Sequence, residues 1–437
     1  MEQYDVKVVS LTMKNIKNVR YGEIDLDMNK DDILDTQVVG FYGQNGSGKT
    51  AVVEAFYILQ LLLLGSELPF KDKRLIYAGE KSLSLAFEFM IKNDSQLYKM
   101  MYEVELEYDG NRMVVKSERV RAKEKSYRKM FVYHRDEQSP IELRRIPSKD
   151  VEIVLGGIKL LSQEIRGSLF FSKIVYGQSE KIFNGIDLLI YRVIKDQFSK
   201  KLVVIKNLQE GVFPSYVFHD FGSSPLENST YMLTDSLSLS KQQYQQLARM
   251  IERNNLVIGV VIPGLKVELR NMGATTLSNG EIGVRAEFVS LKGKIALPLS
   301  TESAGTLKLF AVTTSLLAAF HDSSACVVID ELDAGVFEYL LGELMEILQK
   351  HIKGQLFFTS HNLRVLEKLL PQTIWFTTTN ENNRYIKFKN IQKNNNMRNV
   401  YLRTVLVGGQ SEFLYEETNP TKIVRSFIEA GIDEDEE

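Results

Sequence analysis

The stretch that decides the fold is Val38-Val39-Gly40-Phe41-Tyr42, followed directly by Gly43-Gln44-Asn45-Gly46-Ser47-Gly48-Lys49-Thr50. The first five residues form an apolar run with the length of a buried strand. The segment from Ala51 to Leu64 has the length and composition of a helix. A strand, a glycine loop and a helix in this order form the setting in which a backbone can wrap a phosphate group.

The glycine loop has the spacing that phosphate binding requires. Gly43, Gly46 and Gly48 let the backbone curl until consecutive N–H groups point at phosphate oxygens, and the following helix adds its positive end. We expect Lys49 to reach the β- and γ-phosphates of a nucleotide and the Thr50 hydroxyl to bind Mg²⁺. A chance match in a chain of 437 residues is on the order of one per cent. The sequence therefore predicts a nucleoside triphosphate as the ligand.

A second apolar strand, Val327-Val328-Ile329, ends in the two acids Asp330 and Glu331. Adjacent carboxylates at the end of a buried strand are costly unless a cation lies beside them. We therefore expect Asp330 to accept from the hydration shell of Mg²⁺ and Glu331 to be the general base that polarises the attacking water.

Two further motifs accompany the acid pair. The apolar strand Leu356–Thr359 ends in Ser360 and His361, and we expect His361 to sense the γ-phosphate. Upstream, Ser303-Ala304-Gly305-Thr306 opens a predicted helix. Capping of that helix is a sufficient structural reason for Ser303. The functional alternative is that Ser303 and the N–H groups around Gly305 bind the γ-phosphate held by a second copy of the protein.

The rest of the pattern predicts an α/β fold in which a mixed central sheet is joined to an antiparallel meander. The predicted segments are strands at 6–9 and 22–27, a meander over 83–134 with a hairpin turn at Asp109-Gly110-Asn111, mostly helix over 155–253 with a break at 213–240, strands at 257–269 and 284–299, and helices at 305–320 and 337–350. The predicted divisions are an N-terminal ATPase lobe at 1–154, a helical insertion at 155–256 and a C-terminal ATPase lobe at 257–437.

Composition narrows the function classes. With 54 Lys and Arg against 56 Asp and Glu, the net charge of −2 predicts no general attraction to nucleic acid or membranes. The single cysteine, Cys326, cannot form an internal disulfide and is expected in the core. The start lacks the pattern of a secretion signal, and the most apolar run, Ile58 to Leu64, is too short to span a bilayer. We therefore expect a cytoplasmic protein.

One segment departs from this charge balance. Residues 112–149 hold twelve basic and five acidic residues, a net charge of +7, with aromatic residues interleaved. The segment is either a footprint for a phosphate backbone, a solvated hairpin face or a contact for an acidic protein partner. The basic residues are Arg112, Lys116, Arg119, Arg121, Lys123, Lys125, Arg128, Lys129, Arg135, Arg144, Arg145 and Lys149.

Taken together, these motifs resemble the ABC-type ATPase heads of the SMC/RecF superfamily. The likeness covers residues 5–64 and 257–380, and Leu11–Ile16 is similar to the opening strand of those heads. More narrowly, the Ser-Ala-Gly-Thr signature and the absence of coiled-coil arms resemble the small AAA-type ATPases related to the overcoming-lysogenisation-defect (OLD) family. That group includes ATPase subunits of anti-phage systems, such as the AriA component of PARIS and its RloA-like relatives.

The resemblance implies a head-to-head dimer with two ATP molecules between the subunits. Lys49 and Thr50 would come from one subunit, and Ser303 and Gly305 from the other. The roles of Asp330, Glu331 and His361 carry over by position. Asp333, in Leu332-Asp333-Ala334-Gly335, lies where such heads have a loop at the dimer interface. For the glutamine that joins the two lobes of these heads, Gln178 is the candidate.

The resemblance also bears on the wider function. The short signature differs from the glycine-rich signature of membrane transporters, so transport is not expected. OLD nucleases carry a nuclease domain after the ATPase, whereas 76 residues (437 minus 361) follow His361 here. We expect an ATPase whose dimerisation senses a trigger and controls a separate effector, such as a nuclease or toxin, in anti-phage defence. The alternatives are a RecF-like repair ATPase and a nucleotide-gated scaffold.

Overall fold

The structure of the chain is a computed structural model. It describes residues 4–26, 37–124, 126–135, 137, 140–144, 149–162, 164–206, 212–214, 230–293, 295–389, 391 and 395–430. Lys125 and Arg145 of the basic segment and the acidic tail at 433–437 lie outside the described residues.

Strands and helices alternate in the pattern of an α/β protein. The strands are β1 (Asp5–Ile16), β2 (Val19–Asp25), β3 (Val38–Tyr42), β4 (Ser82–Lys92), β5 (Leu97–Tyr108), β6 (Met113–Lys123), β7 (Tyr127–His134), β8 (Ile141–Leu143), β9 (Leu202–Ile205), β10 (Val212–Pro214), β11 (Thr230–Met232), β12 (Leu237–Leu239), β13 (Lys266–Thr276), β14 (Ile282–Lys292), β15 (Ile295–Pro298), β16 (Cys326–Ile329), β17 (Gln355–Thr359), β18 (Ile374–Thr377) and β19 (Tyr385–Ile386). The α-helices are α1 (Lys49–Leu64), α2 (Lys149–Ser162), α3 (Lys173–Gly177), α4 (Ser179–Ile182), α5 (Gly185–Arg192), α6 (Lys241–Val261), α7 (Ala304–His321), α8 (Glu338–His351), α9 (Leu363–Lys368), α10 (Met397–Val407) and α11 (Pro420–Ala430).

Two large sheets lie on opposite sides of α1. The first is antiparallel with the order β2-β1-β4-β5-β6-β7-β8, and it contains the predicted meander and its turn after Tyr108. Phe56 of α1 joins the two sheets, because its ring lies 5.6 Å from that of Phe87 in β4 and 4.7 Å from that of Phe357 in β17.

The second sheet has the order β19-β18-β3-β17-β16-β9, and its pairs are parallel except β18–β19. Parallel strands covered on both faces read as continuous apolar runs, which explains the composition of β3, β16 and β17. Alternate residues of β3 pack in different hydrophobic cores, one on each face of the sheet. Val39 and Phe41 pack in the core that contains α1, whereas Val38 and Tyr42 pack in the core that contains α7 and α8.

Trp375 lies in β18, beside the strand that leads into the glycine loop. It is buried, it pairs in register with Phe41 of β3, and the Lys387 ammonium lies 4.9 Å from its ring centroid. The sole tryptophan of the chain is therefore part of the sheet that carries the predicted site.

Helix α7 forms the centre of the second core. Among the described residues it is the helix long and apolar enough to cross a membrane, and 72% of that window is buried inside the fold. A smaller antiparallel sheet of β12, β13, β14 and β15 packs beside α6.

The structure differs from the predicted segments at α6, at β9 and at 284–299, where the predicted strand is the antiparallel pair β14 and β15. The strand predicted from 257 is wrong in its first part, because α6 continues to Val261. Asn254 and Ile258, one turn apart, are both buried, and the Asn254 amide donates to the Phe310 carbonyl of α7 at 2.9 Å. The interval predicted as a helical insertion also supplies β9 to the parallel sheet. The boundaries at 155 and 256 stay a prediction.

A buried carboxylate fixes the chain that leaves the antiparallel sheet. Glu118 of β6 accepts hydrogen bonds from the Tyr102 hydroxyl at 2.6 Å and from the N–H groups of Leu169 and Phe170 at 2.7 and 3.1 Å. The Ser168 hydroxyl is a fourth donor, at 2.5 Å. Burial raises the pKa of Glu118 although these donors oppose the change. One side chain therefore fastens residues 168–170 to the sheet.

We predict that Glu118→Gln lowers the free energy of unfolding by about 2 kcal/mol, because the amide turns a donor toward groups that are themselves donors. The measurement is urea unfolding followed by circular dichroism. Glu105→Gln is the matched control, since Glu105 pairs with Lys116 on the partly exposed face of the same sheet. A loss at Glu118 no larger than the loss at Glu105 would contradict this account.

Candidate functional site

The glycine loop joins β3 to α1 as the sequence predicts. Gly46 and Gly48 have φ values of 75° and 98°, a left-handed region that favours glycine. Gly48 caps the N-terminus of α1, so the backbone turns directly from the loop into the helix. Asn45 and Gly46 are exposed, whereas Thr50 is half-buried in the first turn of α1.

Neighbouring elements hold this loop in place. The Asn18 amide donates to the Gly46 carbonyl, and the Tyr385 hydroxyl donates to the Gly48 carbonyl at 2.7 Å. The Ser47 hydroxyl donates to the Gln44 carbonyl at 2.7 Å and is also bonded to the Thr377 hydroxyl. The loop is therefore shaped by contacts from β18, β19 and the β1–β2 turn.

Lys49 is buried inside the loop. Its ammonium donates to the carbonyls of Gly43 and Gln44 at 2.8 and 2.9 Å. Burial lowers the pKa of Lys49 to about 8, although the charges of Glu331, Asp330 and Asp333 oppose the change. The cation that the sequence assigns to phosphate binding thus lies within electrostatic reach of the acid pair.

The acid pair follows β16. A hydroxyl from β17 is hydrogen-bonded to the carboxylate of the first acid and to the backbone N–H of the second. The Thr359 hydroxyl donates to the buried Asp330 carboxylate at 2.7 Å and accepts the N–H of Glu331 at 2.7 Å. Glu331 has a φ of 45°, in the left-handed region. For a residue other than glycine this conformation costs roughly 1–2 kcal/mol, so the surrounding contacts must hold it.

His361 lies at the exposed rim of the site, after β17. Its backbone N–H donates to the Asp333 carboxylate at 2.9 Å. Partial desolvation and the charge of Lys49 lower the pKa of the imidazole, which favours its neutral form. The structure therefore brings Lys49, Asp330, Glu331 and His361 together at the carboxyl ends of three adjacent parallel strands.

These residues fit a magnesium ion that is shared with a nucleotide. The Thr50 hydroxyl and the Asp330 carboxylate are oxygen ligands of the kind that Mg²⁺ prefers, and Mg²⁺ usually takes its remaining ligands from phosphates and water. The described residues contain no group of three or more His, Cys, Asp or Glu side chains that would hold a metal by themselves.

The predicted signature opens α7 and contacts the loop after the acid pair. Ser303 is exposed and caps the helix, because its hydroxyl accepts the Thr306 N–H at 3.2 Å. Gly305 is buried against Gly335, and a Cβ atom added to it would lie 1.9 Å from the Gly335 carbonyl oxygen. The structural role of Ser303 is therefore present, and its contact with a second copy stays a prediction.

The candidate Gln178 is the C-cap residue of α3, and its role in joining the lobes stays a prediction.

The short strand β9 is a further element at the site that the sequence analysis did not predict. The Ile205 carbonyl accepts the Asp330 N–H at 2.9 Å, so the end of β9 lies at the acid pair. The helical interpretation of 155–253 passed over this strand because four residues are too few for a clear periodicity.

Other contributing residues were also missed. Thr359 was assigned only to a strand, although a hydroxyl at the end of an apolar strand beside two acids was visible in the sequence. Asn18, Thr377 and Tyr385, which shape the glycine loop, have no signal in the sequence because they approach it from remote segments.

Many cations of the basic segment are engaged by nearby acids or carbonyls. Arg135 donates to the carbonyls of Val115 and Ile165. The ion pairs are Arg112–Glu67, Lys116–Glu105, Arg121–Glu103, Arg128–Asp187, Lys129–Glu142 and Arg144–Asp187. Because the paired acids include Glu67, Glu103, Glu105 and Asp187 from outside the segment, its net charge of +7 overstates the charge that this face presents. Nucleic-acid contact stays a prediction.

We predict that Gly305→Ala destabilises the protein by about 1–3 kcal/mol, because the new methyl group overlaps the Gly335 backbone. Thermal unfolding measures the loss. Gly157→Ala is the matched control, since Gly157 lies in a helix and a Cβ there meets no atom within 4 Å. Equal stability of the two variants would show that the close approach is not a constraint.

Two family models match the chain. One, described as an AAA domain, matches residues 10–255. The other, described as an AAA domain of the AbiEii toxin type from type IV toxin–antitoxin systems, matches residues 161–367. No curated protein matches the chain.

Solved structures that are similar include an SMC head bound to the C-terminal winged-helix domain of ScpA, at 14% identity over 87% of this chain and 98% of that one, with a TM-score of 0.45. The SMC head domain from Thermotoga maritima has 15% identity over 88% and 99%, with a TM-score of 0.39. The recombination mediator RecF with ATP has 11% identity over 82% and 94%, with a TM-score of 0.38. At these scores the likeness carries no information on function.

The first family model covers residues 10–255, which is more than half of the 437 residues. In the folded chain, the glycine loop, the acid pair and His361 lie at the carboxyl ends of the adjacent strands β3, β16 and β17. The chain belongs to the AAA-domain family.

Proposed function

We propose that the protein hydrolyses ATP with Mg²⁺ in the cytoplasm, and that ATP draws two copies together head to head to control a separate effector in anti-phage defence. The observation that carries the proposal is the convergence of Lys49, Asp330, Glu331 and His361 at the ends of β3, β16 and β17. A phosphate-binding cation, a metal-binding acid and a second acid are the groups that ATP hydrolysis requires.

Each side chain has a separate task in this reaction. Lys49 and the loop N–H groups bind the β- and γ-phosphates, and Thr50 with Asp330 holds the metal, which neutralises charge on the phosphates. Glu331 orients a water molecule and accepts its proton. The lowered pKa of His361 favours its neutral form, whose imidazole has one donor and one acceptor nitrogen for the γ-phosphate and the attacking water.

The exposed N-terminus of α7 supports the dimer. Ser303 and Ala304 are exposed, and the first N–H groups of a helix together with its dipole favour an anion. The same helix contacts the loop that carries the catalytic acids through Gly305 and Gly335. A γ-phosphate presented by a second copy at Ser303 would therefore reach a helix connected to the catalytic loop.

The proposal of a separate effector and of a role in defence is supported by the second family model rather than by the geometry of the site. The second family model is named for a toxin of toxin–antitoxin systems, which are two-component devices, and it spans the predicted signature and acid pair. The rival repair function requires a cationic face for DNA, and the ion pairs of residues 112–144 weaken that support. DNA binding that is lost when Arg119 and Arg121 are neutralised would favour the rival.

We predict that Ser303→Asp folds normally but does not dimerise with ATP. Asp caps helices as well as Ser does, but its carboxylate repels the γ-phosphate of the second copy. The measurement is sedimentation velocity with Mg²⁺ and ATP in a Glu331→Gln background, in which turnover is blocked. Ser303→Asn is the matched control because it caps the helix without a charge. An Asp variant that dimerises like the Asn variant would contradict the predicted contact.

We predict that ATP binding takes up a proton at alkaline pH. Lys49 has a pKa of about 8 in the free protein, and the phosphates require its charged form. Well below this pKa no proton is taken up, whereas at about pH 9 the uptake approaches about one proton per site. Calorimetry in buffers of different ionisation enthalpy measures it. Lys49→Arg should abolish the uptake, since the guanidinium stays protonated. Equal uptake by that variant would assign the proton to another group.

A further inference from the structure

Lys308 joins the signature helix to the catalytic loop. It lies on α7, five residues after Ser303, and its ammonium donates to the backbone carbonyl of Glu331. Its side chain is buried, with a residue exposure of 8%. A buried ammonium is costly unless it is hydrogen-bonded, so this contact is a fixed part of the structure.

The carbonyl that Lys308 binds belongs to the residue whose backbone is left-handed. The N–H of Glu331 donates to the Thr359 hydroxyl at 2.7 Å, while its carbonyl accepts from Lys308. The carbonyl also accepts the Ala334 N–H at 2.9 Å, so the two backbone polar groups of Glu331 are held from β17, from α7 and from within the loop itself. Since the backbone direction sets the aim of the side chain, Lys308 helps to determine where the Glu331 carboxylate points.

The same helix also contacts the far end of this loop. Gly305 packs against Gly335, four residues after Glu331, and between them the Asp333 carboxylate accepts the His361 N–H. The beginning of α7 therefore contacts both ends of the segment from 331 to 335. A helix transmits a displacement along its axis, and Ser303 and Lys308 are about 7.5 Å apart along it.

We infer that Lys308 is a positioning residue, which couples binding of the second copy's nucleotide at Ser303 to the orientation of the Glu331 carboxylate. The inference rests on the proposed function, since it takes the trans contact at Ser303 as the input. It adds a route by which that input reaches the general base within the same chain. The inference gives Lys308 no part in ATP binding at the glycine loop of its own chain.

Three variants test this role. Lys308→Met keeps the length of the side chain and removes the donor, and Lys308→Arg restores a donor. Lys7→Met is the matched control. Lys7 is also buried, at 3% exposure, and its ammonium also donates to a backbone carbonyl, that of Lys353, away from the acid pair. Both methionine variants therefore lose a buried ammonium and its hydrogen bond to a backbone carbonyl. They differ in whether that carbonyl lies at the acid pair.

We expect Lys308→Met to lower kcat by about 10- to 100-fold, because a small misplacement of a catalytic group has an effect of that size. The KM for ATP should stay within about twofold of the wild-type value, since a positioning residue acts after ATP has bound. The Kd of ATP, measured in a Glu331→Gln background without turnover, should likewise change by no more than about twofold. Lys308→Arg should recover most of the turnover, and Lys7→Met should retain kcat. A kcat of Lys308→Met no lower than that of Lys7→Met would overturn the inference.

A double-mutant cycle separates this inference from the proposed function. If Lys308 transmits the signal from Ser303, Ser303→Asp lowers kcat in the wild-type background but has little further effect in Lys308→Met. Independent, additive losses would overturn the coupling. If turnover per chain is the same at all protein concentrations and Glu331→Gln stays monomeric with ATP, the proposed dimer fails instead. A kcat loss in Lys308→Met under those conditions would retain the positioning role without the trans input.

Discussion

The site depends on one hydroxyl group, that of Thr359. It donates to Asp330 and accepts from the N–H of Glu331, so the end of β17 fixes both acids that follow β16. On its other side, β17 pairs with β3, and the Ser360 N–H donates to the Phe41 carbonyl just before the glycine loop. The glycine loop and the acid-bearing segment are therefore positioned by a single strand between them.

This arrangement places the site at the boundary between two cores. Helix α1, which begins with Lys49, packs in the core shared with the antiparallel sheet. Helix α7, which begins at the signature, packs in the core on the opposite face of the parallel sheet. Close-packed cores move as rigid units rather than deforming smoothly. The loops at the strand ends are the place where a change in one core can reach the other.

The sequence predicted the parts of the fold whose signals are local. The glycine spacing predicted the loop between β3 and α1, and the continuous apolar runs predicted β3, β16 and β17, because strands buried on both faces have that composition. Contacts between residues that are far apart in the sequence leave no such local pattern. The approach of Gly305 to Gly335, the reach of Asn18 to Gly46 and the pairing of Arg128 with Asp187 follow from tertiary packing alone. For the same reason, net charge along residues 112–149 was a poor guide to the surface, because antiparallel neighbours bring acids across from other strands.

The position of Trp375 gives the protein a natural optical probe. The indole lies in β18, two residues before Thr377, whose hydroxyl is bonded to Ser47 of the glycine loop. Because the chain has one tryptophan, indole emission arises from this place only, next to the strand that enters the loop. Its spectrum and lifetime therefore describe the surroundings of the glycine loop in the unlabelled protein.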